Sequence, residues 1–297
     1  MIFPPPSHAS PGGWNTQTAV VQWVNKMNRI RWNSSSISRL RPKGRSLLAA
    51  SFGLALSCAT AWSQGAIDKD ANDVLVASMN YLKGLKTFSV DYDTDHEIVD
   101  NAGQKIQFSA SGSLTASRGE GFRVSRKGPN ADVEVTFDGK VISLYGKAIN
   151  AFAQIDSPGS SIDEAVEEFR VSTGLDAPGA DLMSSDPYSV LTEGATEGAL
   201  IGEAVIGGEV CDHLAFRTDV VDWQIWIRQG DQPLPLKYVI TTKWVTGAPQ
   251  YALRLNNWNV APKVDGKLFS FTPPADAKKL DQTNSDEMGE LSLEDAE

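Results

Sequence analysis

Polar and apolar residues alternate with period two over much of this chain, and the densest such run covers residues 223–274. Trp223, Ile225 and Ile227 fall on one face of an extended segment, followed by Leu236, Tyr238, Ile240 and Trp244, and then by Tyr251, Leu253 and Leu255. Lys237, Lys243 and Arg254 take the other face. Side chains on a strand point alternately to opposite sides, so this is the pattern of strands with one wet face and one face that needs a partner. Gly230 and Asp231 make a turn, and Pro233 and Pro235, which cannot donate to a central ladder, fix where the next strand begins. Phe269 and Phe271 are expected to present rings to the interior before Pro273 and Pro274 end the last strand. The stretch reads as the closing wall of a larger sheet, with Trp226 and Trp258 left on the opposite alternation.

Upstream, Asp70 and Asn72 can cap a helix whose Leu75, Met79 and Leu82 form a narrow apolar stripe. Phe88, Val90 and Tyr92 then alternate with Ser89, Asp91 and Asp93. After a turn at Asn101, Ala102 and Gly103, the residues Ile106, Phe108, Ala110, Leu114 and Ala116 give the cleanest alternation in the chain. Phe122 and Val124 continue it, and Val133, Val135 and Phe137 lead to a hairpin signal at Asp138 and Gly139. Residues 141–145 and 149–155 complete this first series of strands. Ser161 with Glu164 three positions on is a capping box, and Ile162, Ala165, Val166 and Phe169 supply one apolar helical face that ends at Gly174. A shorter helix is expected from Pro187, after Asp186, burying Tyr188 and Leu191. Strands resume at residues 200–206 and run through Val210, Leu214 and Phe216. About ten antiparallel strands, one helix before them and two between them do not fit a βαβ pattern. The expectation is a mainly β (α+β) fold, one large curved antiparallel sheet with helices packed against its apolar inside.

The ends of the chain differ from this body. Residues 1–45 are rich in Ser, Asn and Pro, and their Trp14, Trp23 and Trp32 are spaced so as to fall on opposite helical faces. They read as a disordered extension, or as the product of a start assigned too far upstream. Arg39, Arg41, Lys43 and Arg45 precede the apolar run from Leu47 to Leu56, the layout of a secretory signal peptide over residues 46–63. That run falls well short of the roughly 20 residues a permanent span needs, and small-residue sites follow, so cleavage near Ser63 is expected. Lipid anchoring through Cys58 is the less favoured alternative, because Ala55 stands where that signal usually has Leu. Residues 64–280 then form one domain, and residues 281–297 an acidic tail without a core-forming pattern.

Charge and cysteine content narrow the function. The whole chain carries 27 basic and 37 acidic residues, and residues 1–63 hold seven of the bases and none of the acids. The exported part is left with 20 bases against 37 acids, a net charge of −17. Nucleic-acid binding requires clustered cations and is excluded on this balance. Cys211 is the single cysteine beyond residue 63, so no internal disulfide can form in the exported domain.

Several of these segments together resemble a bacterial family of predicted periplasmic proteins that is itself similar to the lipoprotein carrier (outer-membrane lipoprotein sorting) superfamily. The matching residues are the run from Cys211 to Arg217, the run from Trp223 to Ile227, then Pro233, Leu234 and Pro235, and finally the run from Phe269 to Pro274. The resemblance covers roughly residues 68–280. It implies a half-barrel of about eleven antiparallel strands around helices, with an apolar cavity between them. It also implies a binding role, with an acyl chain, a lipid or a lipoprotein as passenger. The alternative is an envelope sensor or protein-interaction module that docks an envelope protein on the same half-barrel. The cavity-lining candidates are Trp223, Ile225, Ile227, Leu236, Tyr238, Ile240, Trp244, Tyr251, Leu253 and Leu255.

Motifs for chemistry are sparse, and no enzyme activity, cofactor or metal is expected. Cys211 and His213 share one strand face, but a dyad on a flat strand lacks an orienting third group and an oxyanion hole. Asp91, Asp93, Asp95 and Glu97 start like a calcium loop, yet His96 stands where such a loop needs Gly and Ala102 where it needs its bidentate Glu. They are expected to be a solvated outer face.

Overall fold

The computed structural model describes residues 67–280 apart from Asn130 and Asp176. The extension, the signal segment with Cys58 and the acidic tail lie outside the described residues. One twelve-stranded sheet dominates, in the order β12-β6-β5-β4-β3-β2-β1-β11-β10-β9-β8-β7, and it is open, with β12 and β7 at its edges. The first meander comprises β1 (Thr87–Val99), β2 (Lys105–Ser117), β3 (Gly121–Lys127), β4 (Asp132–Phe137), β5 (Val141–Gly146) and β6 (Ala151–Asp156). The second comprises β7 (Glu197–Ile206), β8 (Glu209–Arg217), β9 (Val221–Arg228), β10 (Pro235–Thr242) and β11 (Gln250–Asn259). The antiparallel pairing of β1 with β11 zips the two together, and a short β12 (Lys278–Lys279) runs parallel to β6. Strands β9 to β11 therefore occupy the interior of the sheet rather than its closing wall. This correction comes from a long-range pairing that local alternation does not encode.

Three helices cover the inner face. Helix α1 (Lys69–Gly84) is capped by Asp68 rather than by Asp70 or Asn72, which lie inside it, and the Asp68 side chain accepts from the Asp70 N–H at 3.2 Å. Its stripe of Ala71, Leu75, Ser78, Met79 and Leu82 is buried. Helix α2 (Ile162–Thr173) has the expected capping box of Ser161 and Glu164 and ends at Gly174 in the left-handed region. A 3-10 turn over Pro178–Met183, which the sequence pattern does not announce, leads to α3 (Pro187–Thr192). α1 packs with Leu182, Leu191 and the inner residues of β8 to β11, whereas α2 packs with Phe122, Phe137, Ile142, Leu144 and their neighbours on β2 to β6.

Two charged contacts hold this helical layer down. Arg118, at the end of β2, donates to the carbonyls of Leu82, Leu85, Met183 and Ser184, so a single guanidinium closes the end of α1 and the loop before α3. Arg170 of α2 donates to Asp181 of the 3-10 turn at 2.7 Å, with both side chains largely buried. Burial pushes the Asp181 carboxyl upward and the arginine only partly offsets it.

The outer face is not uniformly wet. Residues 266–272 cross it as a strap over β3 to β6, because outward-facing Arg123 donates to the Leu268 carbonyl and Phe271 packs on outward-facing Tyr145 and Phe152. The strap explains why the outer-row residues Glu134, Thr136 and Ser143 are buried. Phe269 is buried, but under the strap and in neither inner cluster, and Phe271 also lies on the outside, so neither ring faces the interior as expected. The two rings are not alternating members of a strand, since residues 270–274 form no ladder.

Candidate functional site

The inner rows of β9, β10 and β11 hold most of the predicted cavity residues in one cluster. Trp223, Ile225, Ile227, Tyr238, Ile240, Leu253 and Leu255 are all buried there, against α1, Leu182 and Leu191. Trp223 stacks on Phe216 with centroids 4.1 Å apart and meets Tyr238 edge-on at 5.9 Å. Gly179 of the 3-10 turn lies so close to Leu253 that a Cβ there would be 3.1 Å from its methyl. These residues form a packed centre under the helices. Tyr251 is only partly buried and sits at the rim of that cluster.

Two candidates are placed elsewhere. Leu236 belongs to an outer cluster with Cys211, Trp226 and Val239. The register of β10 against β9 slips between Pro235 and Lys237, and this bulge inserts one residue and turns Leu236 to the other face. Trp244 follows the end of β10 in a bend, half-buried, and its indole N–H is buried without a hydrogen-bond partner. A second bulge, between Ser89 and Asp91 of β1 where β11 has Asn257 in the left-handed region, explains Trp258. Its ring reaches Phe88 at 6.1 Å, packs against all three apolar clusters and donates to the Pro235 carbonyl at 3.0 Å. Trp226, the other tryptophan of opposite alternation, is sandwiched between His213, stacked at 4.2 Å, and the Lys237 ammonium at 4.5 Å.

Cys211 and His213 both face outward, but the imidazole bonds to Gln224 and stacks on Trp226, while burial pushes the Cys211 thiol up. A raised thiol is the wrong state for a nucleophile at neutral pH. The acidic stripe of β1 is tied down on the outer face: Asp91 accepts from Asn257, Asp93 from Ser111 and Asn256, Asp95 from Ser109, and Glu97 from Lys105 and the Gln250 N–H. Among the described residues no group of three or more His, Cys, Asp or Glu could hold a metal ion, and no helix is long and apolar enough to cross a membrane.

The concave face continues past the packed centre toward the far ends of β1 and β2. There the inner row of β1 carries Tyr92, Thr94, His96 and Ile98, paired with Gly112, Ala110, Phe108 and Ile106 of β2. Gly112 is required in this register, because the Tyr92 ring lies across it and a Cβ would fall 2.6 Å from the phenol. The phenol O–H reaches over β2 to donate to the Ser125 carbonyl at 2.8 Å. Next to Gly112 on β3 stands Arg126, two residues beyond inward-facing Val124. His96 sits opposite Tyr251 of β11, ring centroids 6.4 Å apart. Burial, and next the positive charge of Arg126, lower the His96 imidazole to about 4, so it is neutral at neutral pH. Sequence reasoning passed over Arg126. The signal was present: an arginine at the apolar parity of the row Phe122, Val124, Arg126.

An open, curved, mostly antiparallel sheet with helices on its concave side and an apolar row extending beyond them defines a half-barrel. The chain belongs to the family described as predicted periplasmic protein (DUF2092), whose pattern matches residues 71–282. No curated protein matches it. Among solved structures it is similar to LprF from Mycobacterium bovis at 15% identity, over 72% of this chain and 100% of that one, with a TM-score of 0.43. An uncharacterized conserved protein from Thermus thermophilus is similar at 12% identity, over 71% and 99% of the two chains, also with a TM-score of 0.43. A LolA superfamily protein from Nitrosomonas europaea is similar at 10% identity, over 68% and 97%, with a TM-score of 0.32.

Proposed function

We propose that the protein is a periplasmic binding protein without catalytic activity, which accepts an acyl chain or a comparable hydrophobe on the concave face of its half-barrel. In this reading residues 46–63 direct export and are removed, and residues 64–280 form the binding domain. The observation that carries the proposal is the row of Ile98, Ile106 and Phe108, which prolongs the concave face beyond the two inner apolar clusters. Ile106 and Phe108 remain partly exposed there. An amphipathic sheet needs a core, and the centre supplies it; apolar side chains left over at the end of the same face are what a soluble protein uses to shelter greasy cargo. Of the sequence candidates, Tyr251 borders this end, and the buried seven form the packed centre beside it.

A neutral hydrophobic dye, N-phenyl-1-naphthylamine, tests the reading. Its fluorescence should rise on addition of the folded domain, with a saturable, micromolar-range isotherm, and Phe108→Asp should weaken binding at least about ten-fold, equivalent to ~1.4 kcal/mol. A domain that unfolds cooperatively yet gives no saturable signal would sink the proposal. Intact mass of the protein recovered from the periplasm checks the export assignment: a chain starting near Gln64 is expected, and one retaining a lipid on Cys58 would replace it with the anchored alternative.

A further inference from the structure

The two edges of the sheet are finished differently. An open edge is a row of unpaired backbone groups, and proteins guard it with lysines or with very short edge strands. At one edge β12 does both, as a two-residue strand of exposed Lys278 and Lys279. At the other, β7 runs for ten residues without a Lys or Arg. The chain itself closes the beginning of that edge, where Ile67 pairs with Gly198 and the Asp68 N–H donates to the Gly198 carbonyl at 2.8 Å. Past the bulge between Leu200 and Gly202, no strand of the described residues pairs with the open side of β7. The Val210 carbonyl accepts from the Gln229 N–H at 3.0 Å, so the backbone of Val210 is turned toward β9. Its partner Val205, and Glu203 two residues earlier, therefore turn their N–H and carbonyl groups away from β8 to the open edge.

Three of the five large apolar side chains exposed among the described residues lie on this hairpin, Ile201 at 47%, Val205 at 67% and Val210 at 45%. Val205 and Val210 face each other at the inward parity of Leu214, while on the other face Ala204 and Ile206 extend the outer cluster of Cys211 and Trp226 to the edge. A strand laid along β7 would meet apolar surface on both of its faces. The same stretch is acidic: residues 199–212 hold Glu203, Glu209 and Asp212 and no Lys or Arg. Glu203 and Asp212 share the uncharged amide of Gln229. We infer that the second half of β7 is a docking edge for an extended segment of another protein in which apolar residues alternate with Lys or Arg. Such a segment would add a strand to the sheet through the backbone of Glu203 and Val205. Its apolar row would continue the outer cluster past Ala204 and Ile206. Its cations would reach Glu203 and Asp212, with their aliphatic stems over Val205 and Val210. Charge decides against two other occupants, because a second copy would set the same acids against each other and an anionic lipid surface would be repelled. The inference does not depend on hydrophobe binding, whose proposed surface lies on β1 and β2.

A fluorescein-labelled peptide of alternating valine and lysine, roughly eight residues long, tests this by anisotropy with the full chain. Saturable binding is expected, about ten-fold weaker when glutamate replaces lysine, with a preference that shrinks as salt is added. N-methylation of every second residue, which blocks pairing along one side of the peptide, should weaken binding at least about ten-fold. Val205→Pro deletes an N–H that faces the open edge and leaves the ladder to β8 in place, so it should cause a similar loss while the cooperative unfolding transition is kept. Glu203→Lys should narrow the preference for the basic peptide. Absence of saturable binding, equal binding of basic and acidic peptides, or undiminished binding of the N-methylated peptide overturns the docking edge. A concentration-dependent dimer that Val205→Pro breaks would assign the edge to a second copy, and flotation with phosphatidylglycerol vesicles that Val205→Pro abolishes would assign it to a membrane. Either result overturns the inference. Should Val205→Pro not fold, the three peptides with the unaltered protein decide the matter.

Discussion

The concave face has a centre and an end, and they solve opposite problems with the same alternating pattern. At the centre, Trp223, Ile225 and Leu253 are sealed under α1 and the 3-10 turn, and a ring stack and a close glycine leave no slack. At the end, Ile106 and Phe108 keep some exposure, and His96 and Arg126 interrupt the apolar row. The difference teaches that aromatic density is a poor guide to a site. The tryptophan-rich strands are where the molecule is held together, and the cargo surface proposed for it lies where an otherwise ordinary row outruns its covering helices.

The strongest way to break this comparison is to truncate one residue in each region. Ile225→Ala should cost about 2–5 kcal/mol in urea unfolding, because it leaves a cavity in a closed cluster. Phe108→Ala should cost only about 1 kcal/mol, because its ring is part-exposed already, yet it should weaken dye binding more than Ile225→Ala does. Equal stability losses would erase the distinction between centre and end.

A pH experiment sharpens the description of the end. The folded imidazole of His96 is lowered to about 4 from an ordinary value of 6.5, so between those values the unfolded chain binds the extra proton. Stability from this group is complete above pH 6.5, is lost as pH falls toward 4, and amounts at most to about 3 kcal/mol. Buried Asp181 is raised and acts in the opposite sense, so the comparison must be made against His96→Phe. Thermal melts at pH 7 and pH 4.5 should show the unaltered domain losing more than this variant, and identical losses would mean the imidazole is solvated.

Smaller effects concern how the covering layer is held. Arg118→Met frees the carbonyls of Leu82, Leu85, Met183 and Ser184 and should cost about 2–3 kcal/mol, with faster amide exchange at the end of α1. Trp258→Phe removes a bond that links the two bulges, Nε1 to the Pro235 carbonyl, and should cost about 1 kcal/mol in the same urea assay.

The parts of this fold that local physics specifies were legible in the sequence. Phe88 to Tyr92 and Ile106 to Ala116 alternate because their strands have one wet face, and Ser161 with Glu164 announced α2 through its own hydrogen bonds. What resisted reading was non-local. Nothing within β11 tells that its partner is β1, and that pairing moves the tryptophan strands from the wall to the middle. Leu236 and Trp258 were misplaced because each lies at a bulge, where an extra residue breaks the alternation, and bulges depend on the partner strand. Phe271 was read as interior because residues two apart mimic a strand even in a strap. Arg126 went unseen because a charge at an apolar parity can be placed only once its neighbouring strands are known.

Native mass spectrometry of the protein isolated from its own periplasm, followed by lipid extraction, is the most direct test of the claim that the concave face carries cargo. The account predicts a species heavier than the processed chain by the mass of one acyl-bearing molecule, released by mild activation and absent from Phe108→Asp. A folded protein that shows only the mass of its own chain, both as isolated and after incubation with excess fatty acid, would contradict it.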